Sequence, residues 1–101
     1  MKEENKNDLS NSETERLALL AEEMGEVIQI IGKILRHGYE SYNPLVDDAP
    51  TNRQELEKEL GDVELIIYML AEARDINRNV VDSRRIFKAE AIKRWLHHQD
   101  D

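Results

Sequence analysis

Two pairs of acids have the spacing and the surroundings that chemistry needs. Glu23 and Glu26 lie three residues apart, as do Glu59 and Asp62. On a helix that spacing sets Cβ atoms about 5–6 Å apart, so both carboxylates can reach one ion. Spacing alone decides little. With acids at about one position in five, chance supplies roughly four or five such pairs, and the chain has three, the third being Glu72 and Asp75. The neighbours separate them. Along its own helical row the first pair is flanked by Leu19 and Ile30, and Glu55, Glu59 and Asp62 run on into Ile66, Met69 and Ala73. Glu72 and Asp75 sit mostly among polar residues and read as solvated. A water-facing pair has no reason to interrupt an apolar row.

Four converging carboxylates repel one another and lose hydration, at a cost of several kcal/mol per buried ion. A cation must accompany them. Without cysteine the donor set is all oxygen, which suits Mg²⁺ or Mn²⁺; Mg²⁺ keeps waters and takes its remaining ligands from substrate phosphates. Di-iron helical bundles also gather carboxylates from facing helices, but they use Glu-x-x-His, which is absent. His37, His97 and His98 fall at predicted helix ends and read as surface residues.

Three helices must position these acids. Ser12 and Glu15 make a capping box, and Leu17, Leu20, Met24, Val27, Ile31 and Ile34 form a core-facing seam, predicting a helix over 13–36 that stops at His37-Gly38. Residues 37–51 carry both prolines and no periodicity, hence a long loop. Thr51 or Asn52 caps a second helix of about 53–75 with the seam Leu56, Leu60, Val63, Ile67 and Leu70. Asn77 or Asn79 caps a third, reaching Leu96–His98. No strand-like alternation occurs, so the expected class is all-α. The domain is expected to span 12–98, between a flexible arm at 1–11 and a short tail at 99–101. Packing the first two helices antiparallel would bring the two acid pairs together.

Composition narrows the function. The 101 residues carry a formal charge of -8 and a pI near 4.9, which disfavours a nucleic-acid polymer as partner. No apolar run is long enough to enter a membrane, and the start of the chain has no signal-peptide pattern. Absence of cysteine suits a reducing compartment, with the cytoplasm expected. The acid excess belongs to residues 1–62, while 78–94 holds six bases against two acids. Arg84, Arg85 and Lys88 lie one turn apart there and can clamp polyphosphate oxygens, Lys88 foremost. Tyr39 and Tyr42 in the loop can stack on a base, and Asn52 and Arg53 can contact base or sugar edges. Trp95 continues the Phe87, Ala91 and Ile92 face and reads as core or subunit contact.

Glu22-Glu23-Met24-Gly25-Glu26 followed by Glu59-Leu60-Gly61-Asp62 resembles the E-E-x-x-E then E-x-x-D signature of the MazG-like, all-α nucleoside triphosphate pyrophosphohydrolases. The context LALLAEEMGEVIQIIGKI, the entry ELEKELGDV and a lysine-bearing third helix extend the likeness over about residues 15–97. The resemblance implies a helical bundle of three main helices per chain, completed by oligomerisation into four-helix-bundle-like cores. It implies Mg²⁺-dependent cleavage of an NTP or dNTP between the α and β phosphates, giving monophosphate and pyrophosphate. By position, Glu23, Glu26, Glu59 and Asp62 would be metal ligands, and Glu22 an acid that either supports a ligand or orients the water; Glu22 and Glu23 would be the catalytic acids, with homodimers or homotetramers completing the site. Two departures stand out: the 32 residues between Glu26 and Glu59 exceed the usual interval, and Lys88 lacks its expected asparagine companion. The competing reading from another class is a non-enzymatic acidic adaptor that dimerises through its Leu/Ile seams. An adaptor has no reason to acidify the row Leu19, Glu23, Glu26, Ile30.

Overall fold

The computed structural model describes residues 6–100, which form three α-helices and one 3₁₀ turn with no strand among them. α1 spans Asn11–His37, α2 Asn52–Glu72 and α3 Arg78–Ala91; the 3₁₀ turn is Ile92–Trp95. Each boundary has a chemical cause. The chain has overlapping S-x-x-E boxes, and the earlier one operates. Ser10 Oγ accepts the Glu13 N–H at 3.1 Å, and Glu13 Oε1 accepts the Ser10 N–H at 2.8 Å. Once a helix is nucleated, each added residue gains a hydrogen bond, so the predicted start at Ser12 yields to the longer helix. Gly38 ends α1 at φ 89, donating its N–H to the Ile34 carbonyl at 2.7 Å. That φ costs a side-chain-bearing residue energy that glycine avoids.

Thr51 caps α2 through a reciprocal box with Gln54. α2 stops three residues before the predicted end, because Arg74 turns to φ 64 and the Asp75 N–H folds back to the Leu70 carbonyl at 2.9 Å. Asn77 Oδ1 then accepts the Asn79 N–H at 2.9 Å and opens α3. The third helix is also shorter than expected: Leu96–His98 lie beyond the 3₁₀ turn. Of the arm expected at 1–11, Asn11 belongs to α1, Asn7 accepts the Leu9 N–H at 3.1 Å in a turn, and residues 1–5 lie outside the described residues. So does Asp101 of the tail.

α1 and α2 run antiparallel, as expected. Arg16 near the start of α1 binds Asp75 just past α2 through two hydrogen bonds of 2.6 and 3.0 Å. At the other end Asn52 Nδ2 donates to the Gly38 carbonyl at 3.1 Å, and Lys33 faces Glu55 at 4.0 Å. The face turned inward straddles the predicted seam and the acid-bearing row. Among the described residues Ile30, Ile66 and Leu70 are the buried hydrophobics; Leu70 belongs to the predicted seam, and Ile30 and Ile66 come from the acid-bearing rows. Leu17, Met24, Ile31 and Leu60, assigned to the core by periodicity, stay exposed. The reason is that α1 is apolar over more of its circumference than one neighbouring helix can cover.

The uncovered part of α1 is a continuous stripe, Leu17, Met24, Ile28, Ile31 and Leu35, with Ile28 69 % and Leu35 82 % exposed. Met24, Val27 and Ile28 line an apolar groove with Leu60 and Val63 of α2. α3 leans on the outer flank of α2, where Arg78, Val81 and Arg85 face Glu64, Ile67 and Tyr68 across a cleft. The molecule is correspondingly spread out, 52 × 40 × 21 Å with a radius of gyration of 17.9 Å, against about 13 Å for a compact chain of this length. It exposes 8915 Å², where a folded monomer of this mass exposes about 5900 Å².

Candidate metal centre

One carboxylate oxygen from each of Glu23, Glu26 and Glu59 lies within 4.8 Å of the other two. α1 supplies two of these acids and α2 the third, so the antiparallel pairing is what assembles them. The Glu59 side chain is 12 % exposed. Glu23 Oε2 and Glu59 Oε2 are buried and receive no hydrogen bond. Buried acceptors are nearly always satisfied, and two orphaned carboxylate oxygens beside a third acid are what a cation would satisfy. The three side chains therefore fit a hard divalent ion with oxygen ligands.

Asp62, the fourth predicted ligand, is not in this close group. Its Oδ2 accepts from Lys58 Nζ at 3.3 Å, and the same ammonium reaches Glu59 Oε1 at 3.2 Å. Glu22 is exposed on α1 next to the group. At about 100° per residue, Glu22, Glu26, Lys58 and Asp62 fall on one flank of the helix pair and the apolar stripe falls on the other.

The crowding is visible in the acidities. The Glu26 carboxyl is pushed up to about 7, first by its hydrogen bond with Glu59 and then by the charges of Glu23 and Glu59. Glu23 is raised mainly by burial, with Glu59 and Asp62 adding to it. Glu59 is lowered, because it accepts from Glu26 and Lys58 against the opposing effect of burial. The metal-free group thus shares a proton between Glu26 and Glu59 near neutrality. The folded group binds that proton at pH values where the unfolded chain has released it, so stability falls as pH rises from the ordinary glutamate range through about 7. The metal-free chain is expected to melt at a higher temperature at about pH 5.5 than at about pH 8, and millimolar Mg²⁺ should remove most of the difference. Calorimetry at both pH values, with and without the ion, checks this.

The predicted substrate contacts are dispersed. Arg84 stacks on Phe87 at 4.8 Å, Arg85 lines the α2–α3 cleft and Lys88 is exposed on α3. All three belong to the helix that leans on the α2 flank away from Glu22, Glu26 and Asp62. Asn52 is buried and used in tying the loop to α2. Arg53 lies over the Tyr39 ring at 4.3 Å and donates to Glu40 at 2.8 Å, while Tyr42 is exposed. Asp75, read as solvated, is instead half-buried, and its hydrogen bonds from Arg16 lower its pKa below the ordinary aspartate value. Lys58 is the neighbour that motif reading passed over. Its i,i+4 relation to Asp62 was the available signal.

Acids gathered from both rods of an antiparallel helix pair have the arrangement that helical carboxylate metal centres use. The chain belongs to the MazG nucleotide pyrophosphohydrolase domain family, whose model matches residues 11–94, from the first residue of α1 into the 3₁₀ turn. No curated protein and no solved structure matches the chain significantly. The family depends on divalent metal and acts on nucleotides, in keeping with the acidic group. Among the described residues no helix is long and apolar enough to cross a membrane.

Proposed function

We propose that the protein hydrolyses a nucleoside or deoxynucleoside triphosphate between its α and β phosphates, releasing the monophosphate and pyrophosphate. The observation that carries this reading is the convergence of Glu23, Glu26 and Glu59 with two buried oxygens left unpartnered. Glu23, Glu26, Glu59 and Asp62 would hold Mg²⁺, with Mn²⁺ as a substitute. The ion supplies charge neutralisation at the phosphates and a more acidic water. Glu22, exposed on the same flank, orients the attacking water and takes its proton on a carboxylate oxygen. An acidic adaptor would leave such acids in water, and this burial is what disfavours it. Absence of cysteine supports a cytoplasmic setting.

The working form is a homodimer or homotetramer in which a second copy covers the stripe from Leu17 to Leu35, completing a four-helix core. The excess exposed surface, about 3000 Å², is ample for an obligate interface. Arg84, Arg85 and Lys88 lie on the flank away from Glu26, so a contact from them to the phosphates is made across subunits. The experiment is incubation of the purified chain with a panel of NTPs and dNTPs and Mg²⁺, identifying the products. Monophosphate with pyrophosphate is the expected outcome. Release of orthophosphate, or no turnover of any member, would overturn the reading.

A further inference from the structure

Sequence spacing offers four acids, yet three gather and the fourth is turned to a lysine. Lys58 Nζ lies between Glu59 Oε1 at 3.2 Å and Asp62 Oδ2 at 3.3 Å, bridging one acid of the close group and the acid left outside it. A bridging ion would use the same two carboxylates. The Lys58 side chain is 68 % exposed, so its ammonium keeps most of its water and the pair is cheap to break. The orphaned oxygen of Glu59 is Oε2, while Lys58 satisfies Oε1, so the lysine neutralises only part of the group.

We propose that Lys58 is the resident counter-cation of the acidic centre, so that divalent-metal loading is an exchange that expels its ammonium and frees Asp62 to become the fourth ligand. The inference rests on the metal reading above. It gives Lys58 a specific role: setting how much metal the protein needs before it is loaded, by charging each ion the cost of displacing a cation already in place. Lys33 is the appropriate comparison. It is on the same flank, carries the same charge and pairs with Glu55 at 4.0 Å, closer to the loop and away from the close group.

The test is Mn²⁺ binding to the full chain without nucleotide, read by calorimetry and by loss of the free-ion paramagnetic resonance signal. Lys58→Gln should bind about tenfold more tightly than the parent, because loading the parent must first break two exposed ion pairs, each worth about threefold. Lys58→Arg should stay near the parent affinity, and Lys33→Gln should change it by less than about twofold. Unchanged affinity in Lys58→Gln, or an equal gain in Lys33→Gln, overturns the exchange while leaving the metal site standing. Failure of the parent chain to bind Mn²⁺ at all overturns the metal reading itself, so the two failures are distinguishable.

Discussion

Glu59→Gln is expected to reduce Mg²⁺-dependent turnover by more than about a hundredfold while leaving helix content unchanged. Loss of groups that merely support a metal ligand costs about 10–100-fold, and Glu59 is the sole α2 member of the close group. The substitution keeps volume and shape, so the buried core of Ile30, Ile66 and Leu70 is left as it is. It also removes the charge that holds the proton on Glu26, so the pH dependence of metal-free melting should flatten in the same variant. That second readout separates a ligand from a folding residue, since a merely structural Glu59 would lower the melting temperature at every pH. Steady-state kinetics, circular dichroism and melting at two pH values check the set. Turnover within threefold of the parent would remove Glu59 from the centre.

Ile28→Asp should convert the protein to a monomer. Ile28 is 69 % exposed in the middle of the open stripe, and burying an unpaired charge in an apolar interface costs several kcal/mol. A two-fold interface uses the same patch from both subunits, so the penalty is incurred twice, and association should weaken by at least about a thousandfold. Gln29→Asp, one residue on and across α1 from the stripe, adds the same charge and should leave the mass unchanged. Light scattering over a concentration series decides it. A parent chain that is already monomeric at high micromolar concentration, or an Ile28→Asp variant with the parent's mass, would contradict the assembly.

The sites of greatest chemical interest were legible because their signals are local. Glu23/Glu26 and Glu59 stand out as acids inside apolar rows, and a row is a property of one helix. Thr51 as a cap, the loop with both prolines and the stop at Gly38 are local in the same way. Where two local signals competed, as with Ser10 and Ser12, the pattern alone could not choose, since the choice depends on how much helix each start allows to form. The seam of α1 misled for a related reason. Periodicity identifies an apolar face, and this helix has two adjoining ones.

The sequence by itself determined an all-helical chain, the bounds of its long loop to within a residue or two, and which carboxylates interrupt apolar rows. Only the tertiary structure decided which row faces the neighbouring helix, that Asp75 clasps Arg16, that Lys58 draws Asp62 aside, and that the basic third helix leans away from the acids. The physical reason is range. Capping and periodicity act within a turn or two of backbone, whereas burial and ion pairing depend on which side chain another element brings within a few ångströms.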